Sequence, residues 1–205
     1  MKLRNALLIS LVIFTGLAAS AQDYSKAEVA LFYTYARFNP THDYTNSYSL
    51  NGGGGSFDYN FTKYVGFKGE FTGYASNNQS FVIPKGSPIC PEGCSGTAQA
   101  NLFTYLFGPQ IGIRSGTFRP FGHFLLGGAH SNLAANLYNR VGYTARPAND
   151  AFAFAFGGGL DIAANHSGTI AVRPAEVDYL YTNFDIGGNG AAHNFRYQGG
   201  IVFNF

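Results

Sequence analysis

The chain has 205 residues and a formal net charge of +2, and only 12% of the residues are charged against 17% aromatic. So many rings with so little charge exclude a disordered chain, and the near-neutral balance excludes the basic surface that a nucleic-acid binder needs. Mean hydropathy is close to zero, far below that of a helical membrane protein. Twenty Phe, 14 Tyr and 27 Gly instead fit strands whose two opposite faces cancel in the average.

In chain order, the first stretch is MKLRNALLISLVIFTGLAASA. Lys2 and Arg4 precede an apolar run over 7–17, and Ala19-Ser20-Ala21 is a small-x-small cleavage site. This is the pattern of a secretory signal peptide. Residues 1–21 are expected to be removed on export through the Sec pathway, leaving 22–205 as one domain. No later run approaches the roughly 18 apolar residues of a spanning helix. A membrane-embedded mature chain would then have to be a closed barrel, because an open sheet leaves unpaired backbone groups in lipid.

Period-two alternation predicts eight strands, over 28–37, 48–61, 64–75, 100–114, 119–130, 151–162, 169–184 and 194–205. The first aligns Val29, Leu31, Tyr33 and Tyr35. The second sets Phe57, Tyr59 and Phe61 against Ser56, Asp58 and Asn60, and the third sets Val65, Phe67 and Phe71 against Lys68, Glu70 and Thr72. The sixth alternates Phe152, Phe154, Phe156, Leu160 and Ile162 with alanine, glycine and Asp161. The connections alternate long and short: 39–47, 76–99, 131–150 and 185–193 are polar loops, whereas 62–63, 115–118 and 163–168 are turns. An even-stranded membrane barrel with short turns at one end has this rhythm. A soluble eight-stranded barrel with the aromatics inside fits each strand alone. It fits poorly with so few charges and with glycine-rich polar faces. Trp is absent, so Tyr is expected to occupy the membrane interfaces.

The last strand reads NFRYQGGIVFNF. Phe195, Tyr197, Ile201, Phe203 and Phe205 form one face, and Arg196, Gln198, Gly200 and Asn204 the other. Gln198, Gly200, Phe203 and Phe205 resemble the terminal assembly signal of bacterial outer-membrane barrels. Three stretches, FGPQIGIRSGTFRPFGHFLLGGA, FAFGGGLDI and IAVRPAEVDYLYTNF, resemble the eight-stranded OmpA-like barrels of the outer-membrane protein beta-barrel domain family. The resemblance implies an all-β, antiparallel, up-and-down transmembrane barrel in the bacterial outer membrane. Outer-membrane lipid and lipopolysaccharide, the barrel assembly machinery and periplasmic chaperones are its implied partners. No appended peptidoglycan-binding domain is expected, and the family prescribes no single activity.

The polar faces carry Glu28, Asp58, Lys68, Glu70, Asp161, Arg173, Asp178 and Arg196. The interior of so narrow a barrel is filled by side chains. A lumen charge network of Asp58, Lys68, Glu70, Asp161, Arg173, Asp178 and Arg196 is therefore expected, nearly balanced and suited to a plug. Arg173 and Asp178 are five apart, so strict alternation would send them to opposite faces. Pro174 cannot donate to a ladder, and a bulge within 174–177 would turn both inward.

Cys90 and Cys94 form CPEGC. Export favours a disulfide between them, with free thiols or a metal as the other readings. Gly52–Gly55 lacks the Lys-Ser or Lys-Thr of a phosphate loop, and Gly157–Gly159 lacks the second half of a dinucleotide fingerprint. His130-Ser131 and His166-Ser167 are adjacent, where a lipid A deacylase barrel needs His and Ser two apart on one face. His42, Asp43 and Ser47 share a loop, as in a palmitoyltransferase barrel, but that enzyme needs an apolar interior. No catalytic or metal-binding residues and no cofactor are expected. The leading expectation is a structural or adhesive barrel acting through its loops on an unidentified ligand. A narrow porin-like channel is the first alternative and a lipid-modifying enzyme the second.

Overall fold

The computed structural model describes residues 24–39, 47–83, 85–86, 91–131, 150–184 and 191–205. The expected signal peptide and Cys90 lie outside the described residues, as does the Cys94 side chain. Eight strands form, β1 (Ala27–Phe38), β2 (Tyr48–Asn60), β3 (Val65–Ile83), β4 (Cys94–Gly112), β5 (Phe118–Ser131), β6 (Asp150–Ala163), β7 (Ile170–Asn183) and β8 (Ala191–Asn204). Each pairs antiparallel with its sequence neighbour, and β1 pairs with β8 to close the barrel.

Closure at the seam is long. Ten register pairs run from Glu28↔Asn204 to Arg37↔Phe195. The chain end extends it, because the Phe205 amide donates to the Ala27 carbonyl at 2.8 Å and the Phe205 carbonyl accepts from Lys26 N at 2.8 Å. The short turns need tight backbone at two glycines. Gly116 and Gly168 have φ of 83° and 67°, a region closed to most side chains. Arg119 ties these turns together, donating to the Gly116 carbonyl at 3.1 Å and to the Gly168 carbonyl at 3.2 Å.

The surface inverts that of a soluble protein. Leu31 is 59% exposed, Phe57 50% and Ile111 63%, whereas Lys68 and Arg196 are 0% exposed. An apolar outer wall around a polar interior is stable only with lipid outside.

Two features differ from the sequence expectation. The segment expected to be a loop over 76–99 instead continues β3 to Ile83 and begins β4 at Cys94. The two strands pair past an irregularity between Ser76 and Gln79. Backbone pairing in water needs no alternating apolar face, so a run of Ser, Asn, Gln and Thr hid a ribbon. The interior is also not polar throughout. Toward the long-loop end, Leu50, Leu102, Leu106, Leu125, Leu180 and Phe184 form an apolar cluster. Inward Leu106 sits between outward Tyr105 and Phe107, and inward Leu125 between outward Phe124 and Leu126, so both faces are apolar there and period two is lost.

The fold predicts heat-modifiable migration on gels, because all ladder bonds are internal to the closed sheet. Recovery of a stable monodisperse protein without detergent would contradict the membrane placement. Deletion of Phe205 removes its amide and carbonyl from the seam. Folding into lipid vesicles should slow markedly, while deletion of the exposed Lys85 should leave it unchanged.

Candidate functional site: the charged lumen

The site is the short-turn half of the lumen. Alternation aims Asp58, Lys68, Glu70 and Arg196 inward. On β7 the aim depends on one extra residue. Opposite β8, Arg173 pairs with Gly200 and Glu176 with Gln198, so three steps on β7 match two on β8. Opposite β6, the register also shifts, between Leu160 and Ile162. The bulge holds Pro174 and Ala175, where the missing proline N–H costs no ladder bond. It leaves Arg173, Glu176 and Asp178 all facing the lumen, each 1% exposed or less.

The charges interlock. Arg173 grips Asp161 with two bonds, Nε to Oδ1 at 2.7 Å and Nη2 to Oδ2 at 2.9 Å. Its Nη1 donates to Glu176 Oε2 at 2.6 Å. Glu176 Oε1 accepts from Lys68 Nζ at 2.8 Å, and Lys68 lies 3.2 Å from Glu70 Oε2. Arg196 completes the chain, donating to Glu70 and, through Nε and Nη2, to Asp178 Oδ2 at 2.8 and 2.6 Å. His123 Nε2 lies 2.9 Å from Asp178 Oδ1. Phe121 provides a ring beneath the cations, with Arg173 4.3 Å and Lys68 5.6 Å from its centroid.

Small residues on β6 make the space. A Cβ on Gly157 would collide with the Val177 carbonyl and the Asp178 carboxylate, and one on Gly159 would lie 2.8 Å from the Phe121 ring. Below the network Arg114 Nε lies 3.3 Å from Glu28 Oε1, which also accepts from Asn60 Nδ2 at 2.6 Å. A small cleft there is lined by Glu28, Gln110, Arg114, Arg119 and Asn204.

Six of the seven residues named from sequence form this chain of ion pairs. Asp58 is inward and 0% exposed, but among the described residues no cation lies within 4.0 Å of it. Its recorded hydrogen bond comes from Ser56 Oγ at 3.1 Å. Glu176 and His123 were not assigned to the network from sequence, because a partner across the lumen is set by ladder register, not by sequence spacing. The balance also differs from expectation. Six buried carboxylates (Glu28, Asp58, Glu70, Asp161, Glu176, Asp178) face four buried cations (Lys68, Arg114, Arg173, Arg196). His123, Glu176 and Asp178 bring ligand atoms within 4.8 Å of one another. Lys68, Arg173 and Arg196 already occupy those carboxylates, so a metal ion there would be set among three fixed positive charges. Gln198 faces the lumen, donating to Glu70 at 3.5 Å, while Phe203 faces outward and Phe205 is 42% exposed.

Losing one partner of a buried pair strands the other charge, at a cost of roughly 3–5 kcal/mol. Arg196→Gln should destabilise the barrel by about that amount in urea unfolding, since Glu70 and Asp178 lose a shared cation. Asp58→Asn should leave stability unchanged or raise it, because it removes surplus negative charge and strands nothing. Equal losses in both variants would refute this ordering.

The family model of the outer membrane protein beta-barrel domain matches residues 6–205. Among solved structures, Neisserial surface protein A is 12% identical with a TM-score of 0.58, covering 90% of this chain and 100% of its own. The outer membrane protein OprG from Pseudomonas aeruginosa is 14% identical with a TM-score of 0.57, covering 91% and 99%. At these identities the likeness is one of fold. No curated protein sequence matches the chain. With a closed eight-stranded barrel, an apolar outer wall and a family match over nearly its whole length, the chain belongs to the outer membrane protein beta-barrel domain family.

Proposed function

We propose that the protein is a plugged, non-enzymatic outer-membrane barrel whose role is structural or adhesive and is exercised at its long-loop, outward end. The observation that carries this reading is the double filling of the lumen. The Leu50–Leu106–Leu125–Leu180 cluster packs the outer half. The Arg173–Glu176–Lys68–Glu70–Arg196–Asp178 chain spans the inner half with direct ion pairs. A solute would have to break both.

The outward end offers a binding surface in the β3–β4 ribbon. Among the described strands, pairing of β3 with β2 ends at Ala75 and pairing of β4 with β5 ends at Leu102. The ribbon continues beyond both, and its segments SNNQSFVI and CSGTAQA carry no charge. Uncharged edges of this kind accept a further extended chain. A Cys90–Cys94 disulfide would brace the ribbon's tip. Export through Sec after removal of 1–21, delivery by periplasmic chaperones, insertion by the assembly machinery and contact with lipopolysaccharide complete the reading.

The alternative is a narrow channel, favoured by the surplus of lumen carboxylates, which suits cations. An enzyme has less support. The His130-Ser131 and His166-Ser167 pairs are adjacent, and the apolar half of the interior, which an acyl chain would need, is packed with side chains.

Planar-bilayer recording decides between plug and channel. The parent protein should give no steady conductance, and Asp178→Ala should stay non-conducting while losing stability. A large, steady, cation-selective current from the parent would overturn the plug and establish the channel.

A further inference from the structure

The bulge on β7 is tied down from the lipid side. Pro174 and Ala175 have no register partner on β8, and Gly199, which stands opposite them, has none on β7. The ladder is therefore interrupted on a wall that faces hydrocarbon, where a backbone carbonyl finds no water to accept from. The Tyr197 hydroxyl donates to the Pro174 carbonyl at 2.5 Å. Other tyrosine hydroxyls on the outer wall meet side chains instead: Tyr33 bonds Asn51, Tyr35 bonds Ser49 and Tyr179 bonds His193.

The sequence of β8 makes the reach possible. Tyr197 pairs with Val177 across the ladder, on the long-loop side of the bulge. Gly199 lies between its hydroxyl and the carbonyl. The point where a Cβ would stand on Gly199 is 3.4 Å from each of the two oxygens, so the missing side chain leaves their path open. The next residue inward is Arg196, which grips Asp178 on the lumen side. One strand thus fastens β7 on both faces, by Arg196 within and by Tyr197 without.

We propose that Tyr197 is a positioning residue of the charged lumen: its hydroxyl, acting from the lipid face, fixes the β7 bulge and so holds Glu176 between Lys68 and Arg173. Glu176 sits three residues after Arg173 and shares its face only because the bulge adds one residue. Its two oxygens accept from Lys68 Nζ at 2.8 Å and Arg173 Nη1 at 2.6 Å. The bridge between those cations therefore depends on a bond made on the other side of the sheet. It also depends on the last strand, so the network is complete only once β8 has paired with β7. The inference rests on the lumen network and does not involve the loops or what they bind.

Tyr197→Phe removes the hydroxyl and keeps the ring. Amide exchange of the folded protein in detergent micelles, read by nuclear magnetic resonance, should become about tenfold faster at Glu176 and Val177, the scale of one hydrogen bond left unmade. Phe57 and Tyr59 on β2 should be unaffected. Tyr33→Phe, whose hydroxyl ends on a side chain, should leave Glu176 and Val177 as in the parent. In urea unfolding, Tyr197→Phe and Glu176→Gln should be coupled, the double variant losing less than the two single losses together, whereas Tyr197→Phe and Asp150→Asn should add. Unchanged exchange at Glu176 and Val177 overturns the proposal, as does an equal rise on every strand. Additive losses with Glu176→Gln show that Tyr197 does not act through Glu176 and overturn it too. Should Tyr197→Phe not fold, the parent alone decides: a Tyr197 hydroxyl proton that exchanges slowly and contacts Gly199 supports the bond, and one in rapid exchange with water overturns it.

Discussion

Backbone pairing at the β1–β8 seam is the constraint on which the rest depends. Inside hydrocarbon an unpaired N–H or carbonyl has no water to turn to. The sheet must therefore close, and the first strand must meet the last over most of its length. The Glu28–Arg37 side of β1 does so, and the chain end adds the Phe205 bonds to Lys26 and Ala27. Once the seam closes, alternation allots every side chain to lipid or to lumen.

The lumen then follows from strand number. Eight strands enclose a space that side chains can fill. This chain fills it in two ways. Leucines occupy the long-loop half, where burial from water is enough. Ions occupy the short-turn half, where each charge needs a partner because little solvent reaches it. The bulge at Pro174 and Ala175 links the two requirements. It adds one residue to β7 and so brings Arg173 and Glu176, three apart, to the same face. Without it Glu176 would point to lipid, and Lys68 and Arg173 would lose the carboxylate that bridges them.

Much of this was legible in the sequence because alternation and charge are local signals. Phe57, Tyr59 and Phe61 against Ser56, Asp58 and Asn60 read directly as two faces. Pro174 between Arg173 and Asp178 marked where that alternation had to slip. The less legible parts involve relations across the barrel. His123 lies inward by parity, but its approach to Asp178, 55 residues away, depends on how β5, β6 and β7 stack in register. The bridging role of Glu176 depends on Lys68, 108 residues away. The apolar half escaped because Leu106 and Leu125 sit between outward apolar side chains, where period two vanishes. The β3–β4 ribbon escaped for the opposite reason, having no apolar face to alternate.

The distribution of charge also says where recognition can occur. Buried cations are committed: each of Lys68, Arg173 and Arg196 has two carboxylate partners within 3.2 Å. A ligand entering there would have to replace contacts already made in a medium that strengthens them. The outward wall has the reverse character, with much apolar area and few polar groups. Lipid solvates that wall without specificity. Polar side-chain groups outside the lumen gather at the rims, as where Arg37, Ser49 and the Tyr35 hydroxyl meet.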